Sequence, residues 1–252
     1  MKLKVILSPT LKDFQQPISP MVVVSTDSDF CQETVARGWL TAEQMAHAAA
    51  RYRLGKSRSG KCIFWMIDQQ GIVRDGHIGT SWASEMLKSR EPELLKDWHA
   101  KHCMFGLHLT SDIRHDLRSS LLSLGKLRAS FRLLSLKRSL QTLDIALVES
   151  EASAVILSEL FPEQLWLATC YSGNLTVENL EVLKGHHVTL FPPTDPTMST
   201  YITWLEVADQ AHRQFALDIS VSSILEDHAT SEQKARKIDL VEFLFESHID
   251  SI

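Results

Sequence analysis

Four short apolar segments, each followed by a helical pattern, constrain the fold of this chain more than any other feature. The segment at 144–148 lacks the period-2 alternation of a half-exposed strand, which indicates burial on both faces. Strands that alternate with helices predict right-handed crossovers and a parallel sheet. We therefore predict an α/β domain over residues 142–252, with helices flanking strands at about 144–148, 165–169, 187–191 and 217–221.

The first part of the chain, residues 1–141, has the mixed pattern of an α+β region. A β-branched run at 21–25 predicts a strand, and Thr41 with Gln44 forms a capping box that predicts a helix through about Tyr52. Two strand-forming runs on either side of a Gln-Gln-Gly turn predict a β-hairpin over 62–78. Two domains suit a chain of 252 residues.

Composition places the chain among globular proteins. Hydrophobic residues make up 44% and charged residues 23%, which excludes collagen-like and mainly disordered chains. The longest apolar runs are too short for a transmembrane helix, so we expect no membrane partner. The apolar stretch at the N-terminus stops at Pro9, too short for a signal peptide, and we expect a cytoplasmic location.

The cysteines and clustered histidines match no common metal-binding pattern. Cys31, Cys62, Cys103 and Cys170 include no CxxC pair, so the sequence suggests neither a zinc ribbon nor a disulfide framework. Three histidines lie around Cys103, but their spacing is not that of a zinc site: His99, His102 and His108.

Charge is unevenly distributed along a chain whose net charge is −5. A basic segment at 113–141, predicted to be helical, contains a single acid, Asp116. Basic side chains grouped in this way predict contacts with the phosphates of a nucleic acid. Alternatively, the segment is an amphipathic helix pair whose bases lie in water. The candidate nucleic-acid-binding residues are Arg118, Lys126, Arg128, Arg132, Lys137 and Arg138.

Acidic side chains follow two strands of the predicted parallel sheet. Glu149 and Glu151 come after the first strand, and Asp195 comes after the third. Ligands of open α/β sheets bind at the carboxyl ends of strands, and acids at neighbouring ends can share a divalent cation. The candidate metal ligands are therefore Glu149 and Asp195, with Glu151 as a further candidate. Alternatively, Glu149 and Glu151 only favour a helix N-terminus through the helix dipole.

Several short stretches, taken in order, carry a resemblance to a known family. They are Tyr52-Arg53-Leu54-Gly55, Phe64-Trp65-Met66-Ile67-Asp68, Val73-Arg74-Asp75-Gly76, Cys103-Met104-Phe105-Gly106 with His108-Leu109, Val148-Glu149-Ser150-Glu151, Val182-Leu183-Lys184-Gly185 and Ile238-Asp239-Leu240. Together they resemble the Toprim domain, the catalytic domain shared by bacterial primases and topoisomerases. The likeness is closer to Toprim-containing, primase-like proteins of bacterial mobile elements.

The resemblance implies a Toprim fold over about 142–250 and magnesium-dependent nucleotidyl transfer or strand cleavage. It implies that Glu149 acts as the acid or base and that a later Asp-x-Asp turn holds the metal. That turn reads Pro193-Thr194-Asp195 here, so the first aspartate is missing. Losing a carboxylate from a divalent site removes a full charge of attraction. The resemblance therefore predicts a retained fold with an impaired catalytic site.

These observations together predict a degenerate Toprim, primase-like protein that acts in DNA replication or in mobilisation of a mobile element. It would bind single-stranded or duplex DNA, together with replication or mobilisation proteins, with weak or no catalysis. One alternative is an active magnesium-dependent primase-like nucleotidyltransferase. The other is a non-catalytic protein-interaction module, in which the basic segment is only a solvated face.

Overall fold

The computed structural model describes residues 22–85, 102–111 and 143–249 of the chain. It divides into two compact units, Met1–His108 and Leu109–Ile252. The basic segment predicted at 113–141 lies outside the described residues, so its helical character stays a prediction. The predicted domain boundary after residue 141 likewise stays a prediction.

The first unit combines two helices with an antiparallel sheet. The elements are α1 (Asp29–Ala36), α2 (Ala42–Tyr52), β1 (Gly55–Lys56), β2 (Cys62–Ile67), β3 (Val73–Ile78) and β4 (Ser81–Trp82). The four strands follow one another in sheet order. Between β2 and β3 the register pairs Trp65 with Gly76, which confirms the hairpin predicted over 62–78.

A capping box explains where α2 begins. The capping box predicted for Thr41 and Gln44 is present, with Thr41 accepting from the Gln44 N–H at 3.2 Å and Gln44 accepting from the Thr41 N–H at 2.9 Å. The strand predicted at 21–25 is wrong for its described part, because residues 22–25 have no strand structure. The Ser25 N–H donates to the Leu54 carbonyl, and this isolated bond does not extend into a ladder.

The core of the first unit is organised around Trp65. Its indole lies close against the backbone of two glycines. A Cβ added at Gly76 would come within 2.8 Å of the ring, and one added at Gly55 would come within 2.7 Å of Nε1. Ile67, Val73 and Ala83 complete this buried cluster. A side chain at either glycine would therefore displace the Trp65 indole.

The second unit contains the predicted parallel sheet. Its strands are β5 (Asp144–Val148), β6 (Leu165–Ala168), β7 (His187–Leu190) and β8 (Asp218–Val221). All three strand pairings are parallel, and the order is β6-β5-β7-β8. The central strand β5 is buried from Ile145 to Val148, as its unbroken apolar pattern predicts.

Six α-helices lie among the described residues of the second unit. They are α3 (Glu151–Leu160), α4 (Val177–Leu180), α5 (Ser199–Phe215), α6 (Ile224–His228), α7 (Ser231–Arg236) and α8 (Leu240–Ile249). The chain moves from β5 to β6 and then back past β5 to β7, and crossovers that share the usual right-handed sense place α3 and α4 on opposite faces of the sheet. α4 packs against α5, and α8 packs against α3. α6 was not predicted from the sequence.

The strand order places the topological switch point of the sheet between β5 and β7. Connections leave these two neighbouring strands toward opposite edges of the sheet, which is where open α/β sheets bind ligands. Glu149 follows β5 directly, and residues 191–195 follow β7. Within the described residues, no helix is long and apolar enough to cross a bilayer.

Candidate functional site

Glu149 is held at the carboxyl end of the central strand of the parallel sheet. The ladder between β5 and β6 continues past the strands, because the Thr169 N–H donates to the Val148 carbonyl at 3.0 Å and the Cys170 N–H donates to the Glu149 carbonyl at 2.8 Å. These bonds fix the backbone of Glu149, while its side chain is half-buried. The predicted acid or base therefore lies on a rigid element.

The surroundings of Glu149 favour its protonated form. Burial raises the pKa of its carboxyl group, and the neighbouring carboxylates of Asp239 and Glu151 raise it further. A carboxyl group with a raised pKa keeps its proton closer to neutral pH, which suits general acid or base chemistry.

Asp239 is a neighbour of Glu149 that was not singled out from the sequence as a site residue. Its carboxylate accepts from the N–H groups of Val241 at 2.9 Å and Glu242 at 3.0 Å, and so caps α8. It also accepts from the Ser153 hydroxyl on α3. The Asp-x-x-Glu pattern predicts only a helix start. Asp239 comes close to Glu149 because α8 packs against α3, and no local sequence pattern predicts that packing.

Glu151 lies in the first turn of α3 and is 5% exposed. Ser150 caps the same helix, accepting from the Ser153 N–H at 3.4 Å. A carboxylate in the first turn is favoured by the helix dipole, as the alternative interpretation of Glu151 predicts. Glu151 also contributes to the raised pKa of Glu149, so both effects operate at this position.

Asp195 is engaged by its own loop and by the start of α5. The Thr197 N–H donates to its Oδ1 at 2.9 Å and the Thr197 hydroxyl at 2.6 Å. The Ser199 N–H and hydroxyl donate to Oδ1 and Oδ2, both at 3.2 Å. The Thr200 N–H donates to Oδ2 at 2.7 Å. The carboxylate therefore accepts five hydrogen bonds while it is 4% exposed.

This environment defines a structural role for Asp195. Burial acts to raise the pKa of its carboxyl group, but the hydrogen bonds from Thr197 and Thr200 outweigh burial and hold the pKa far below the usual range. Two carboxylate oxygens offer about four lone-pair positions, and the five donors occupy them. The donor set at Asp195 does not fit a metal ion, because coordination would require breaking bonds that start α5.

The Pro193-Thr194-Asp195 turn is itself built into the fold. The Thr194 N–H donates to the Ile238 carbonyl at 3.1 Å, and its hydroxyl donates to Glu226 at 2.7 Å. Lys234 pairs with Glu226 at 3.0 Å, so the carboxylate that holds Thr194 is itself neutralised. The turn that the Toprim resemblance assigns to metal binding thus connects β7 to the segment before α8.

The described residues contain no group of three or more His, Cys, Asp or Glu side chains arranged to hold a metal ion. Two of the histidines around Cys103 have separate partners. His102 Nε2 lies 2.8 Å from Asp75, and His108 Nε2 lies 3.3 Å from the Arg51 carbonyl. His99 and the six candidate nucleic-acid-binding bases lie outside the part of the chain that the structure describes.

The first unit holds a buried carboxylate of its own, Asp75. It is fully buried and accepts from the Ser84 hydroxyl at 2.6 Å, the Ser84 N–H at 3.0 Å and the Gly76 N–H at 2.8 Å. His102 completes the set, and its ring lies at a tilt to that of Trp82, with ring centroids 4.4 Å apart. These bonds tie β3 to Ser84, just after β4, and to His102, which accounts for a buried carboxyl group in this core.

The fold and the acidic edge define a two-unit α/β protein with a parallel four-stranded sheet. The chain belongs to the family described as "Domain of unknown function (DUF6371)", which it matches over residues 30–117 and 130–194. The match covers more than half of the chain and includes both Glu149 and the Pro193-Thr194 turn. Neither the comparison with curated proteins nor the comparison with solved structures gave a match.

Proposed function

We propose that this chain is a degenerate Toprim, primase-like protein that binds nucleic acid with weak or no catalysis. It acts in the cytoplasm, in DNA replication or in mobilisation of a mobile element. Two features support the proposal: a parallel sheet of order β6-β5-β7-β8, and a half-buried glutamate at the end of its central strand. Fold alone does not establish activity, so the argument depends on the groups at the edge of the sheet.

The state of Asp195 is the observation that carries the proposal. The Toprim resemblance assigns this residue to metal binding, yet its oxygens accept five hydrogen bonds from Thr197, Ser199 and Thr200. Pro193 stands where the resemblance predicts the other aspartate. Catalysis of phosphoryl transfer by metal ions requires carboxylates that are free to bind them. These two residues together support the proposal of an impaired site.

A second candidate function, an active magnesium-dependent nucleotidyltransferase, is favoured by the neighbouring carboxylates of Glu149 and Asp239. Their charges interact strongly enough to contribute to the raised pKa of Glu149. Magnesium prefers oxygen ligands and often binds through one or two carboxylates. In this alternative, Glu149 and Asp239 would hold the ion, which would supply charge stabilisation to a phosphoryl group. The Asp239 carboxylate accepts three hydrogen bonds, against five at Asp195, so one of its about four lone-pair positions stays free. Asp195 would keep its structural role.

Nucleic-acid binding in either function is assigned to Arg118, Lys126, Arg128, Arg132, Lys137 and Arg138. The partners proposed are single-stranded or duplex DNA and the proteins of replication or mobilisation. Binding through these bases releases counterions, so its affinity falls with salt in proportion to the number of phosphates contacted.

The test measures binding and catalysis on the same preparation of the full chain. A labelled single-stranded oligonucleotide and the duplex of the same sequence are titrated across a salt series, and nucleotide incorporation is followed with magnesium present. Salt-dependent binding with no incorporation supports the degenerate protein. Incorporation that Glu149→Gln abolishes supports the active enzyme instead. Absence of binding at low salt overturns both, and leaves the protein-interaction module.

A further inference from the structure

A basic surface turn links the first two strands of the first unit. The eleven residues from Arg51 to Lys61 contain five basic side chains and no acidic one. Three of the five lie at the turn between β1 and β2 or directly beside it, and all three are exposed: Lys56, Arg58 and Lys61. The whole chain carries a net charge of −5, so this local excess of positive charge runs against its overall composition.

Two backbone hydrogen bonds give this turn a defined shape. The Gly60 N–H donates to the Ser57 carbonyl at 3.1 Å, and the Ser57 N–H donates to the Lys61 carbonyl at 2.8 Å. Gly60 has a positive φ of 86°, and glycine is favoured at the last position of a four-residue turn. Arg58 and Ser59 are the two central residues of the turn, and both are exposed.

The turn is fastened to the start of α1. The Asp29 N–H donates to the Gly60 carbonyl at 2.9 Å, and the Asp29 carboxylate accepts from the Cys62 N–H at 2.8 Å. The Lys61 ammonium pairs with the same carboxylate, also at 2.8 Å. The backbone that carries the basic side chains is therefore held against a helix, and a ligand that binds there loses little affinity to ordering of the loop.

The turn offers hydroxyl groups as well as positive charge. The Ser57 and Ser59 hydroxyl oxygens lie 3.0 Å apart. Lys56 pairs with Asp27 at the surface, and exposed pairs contribute little stability, so a phosphate can replace that carboxylate at small cost. Arg58 has no carboxylate partner among the described residues. Basic side chains and serine hydroxyls are the groups that contact phosphate oxygens in complexes of proteins with nucleic acids.

We propose that the β1–β2 turn, residues 56–61, is a contact surface for the phosphate backbone of a nucleic acid. The inference rests on the nucleic-acid binding proposed above and adds a second basic surface, separate in sequence from the segment at 113–141. Arg58 contacts a phosphate with its guanidinium fork, which matches two phosphate oxygens. Lys56 and Lys61 add point charges on either side of Arg58. Contacts of this kind position a strand without reading its sequence.

The carboxylates beside the turn moderate its charge without cancelling it. Two acids, Asp27 and Asp29, pair with lysines of a run that holds five bases, so positive charge remains in excess. Asp29 also supports the backbone of the turn, whereas the Asp27 side chain is 69% exposed and competes with a phosphate for Lys56. Removing the Asp27 charge therefore strengthens phosphate binding, and a purely structural ion pair between Asp27 and Lys56 predicts no such gain.

The test titrates the full-length chain with a labelled single-stranded oligonucleotide and with its duplex across a salt series. We expect Arg58→Ala to weaken binding and to reduce the slope of log affinity against log salt by about one unit, because one phosphate contact is lost. Adding Lys61→Ala should reduce the slope by about one unit more. Asp27→Asn should strengthen binding. Arg37→Ala, at an exposed position at the other end of α1, is the matched control and should leave the slope unchanged.

Acetylation of lysines in the wild-type chain gives a readout that needs no variant. Bound oligonucleotide should protect Lys56 and Lys61, whereas Lys184, an exposed lysine of the second unit, should keep its reactivity. Salt-dependent binding that Arg58→Ala changes no more than Arg37→Ala overturns the contact surface and leaves the proposed function standing. Lysines of the turn that stay reactive in the saturated complex overturn the surface in the same way. Absence of binding at low salt overturns both proposals.

Discussion

The Thr200 N–H donates to the carboxylate of Asp195 at 2.7 Å, five residues along the chain. This bond joins the loop after β7 to the first turn of α5, so Asp195 serves as the helix cap. The residue at the N-cap position of α5, Met198, has a positive φ of 58°, and its side chain makes no capping hydrogen bond. A capping carboxylate from outside the helix therefore stabilises both the turn and the N-terminus of α5.

Replacing Asp195 should reveal this structural role. We expect Asp195→Asn to lower the free energy of unfolding by about 2–4 kcal/mol, because buried charge-assisted hydrogen bonds are lost and an amide donor faces other donors. Chemical denaturation measures the change. Asp209→Asn, on an exposed part of the same helix, is the matched control and should have little effect. Equal stability of Asp195→Asn and the wild type would contradict the capping role.

The pH dependence of stability gives a second measurement on the same pair of proteins. The pKa of Asp195 is lowered on folding, so its contribution to stability is present above the ordinary aspartate value of 3.8 and is lost as the pH falls through the folded value. The difference between the wild type and Asp195→Asn should therefore be constant near neutral pH and shrink in acid. A difference that does not change with acidification would exclude the ionised form as its source.

The pH dependence of stability that comes from Glu149 should have the opposite sign to that from Asp195. The pKa of Glu149 is raised on folding, so the ionised form destabilises the fold near neutral pH and the protonated form does not. We expect Glu149→Gln to raise the free energy of unfolding at neutral pH, and the gain to vanish in acid. Glu163→Gln, at an exposed position after α3, is the control. A destabilised Glu149→Gln would show that the glutamate is fixed by favourable bonds.

The parallel sheet was predictable from the sequence because its signal is local. Each strand is a short apolar run bounded by Pro, Gly or a helical pattern, and β5 is observed at Asp144–Val148, as predicted. The capping box at Thr41 is equally local and was confirmed. The strand expected at 21–25 was wrong for residues 22–25, because β-branched residues favour a strand only where a partner strand is available.

The chemistry of the acidic edge was less predictable. Glu149 and Asp195 follow strands as expected, but nothing in their spacing shows that Asp195 points back into its own loop. Asp239 lies 90 residues after Glu149 in the chain and approaches it through the packing of α8 on α3.

The packing of Trp65 predicts a clear difference between two glycines. Gly76→Ala should lower the free energy of unfolding by about 1–3 kcal/mol, because the new Cβ would meet the indole at 2.8 Å. Gly79→Ala has a positive φ of 63° but open space around it, so it isolates backbone strain and should cost about 1 kcal/mol. The cost of Gly76→Ala should be smaller in a Trp65→Phe background. Equal costs in both backgrounds would place the clash elsewhere.

The basic segment is tested by the salt dependence of DNA binding. We expect the double variant Arg128→Ala, Arg132→Ala to weaken binding and to reduce the slope of log affinity against log salt by about two units, because two phosphate contacts are lost. Lys184→Ala with Arg213→Ala, at exposed positions of the second unit, is the charge-matched control. An unchanged slope in the Arg128, Arg132 variant would assign those bases to a solvated face.

The most direct test of an impaired catalytic edge is magnesium-dependent nucleotide incorporation by the wild type, Glu149→Gln and Pro193→Asp. Pro193→Asp supplies the carboxylate that the Toprim resemblance leads us to expect, together with a backbone donor, so magnesium should bind more tightly and stabilise the folded state. We predict that the wild type incorporates no more nucleotide than Glu149→Gln, with any gain confined to Pro193→Asp. Incorporation by the wild type that equals Pro193→Asp and is abolished by Glu149→Gln would contradict the account.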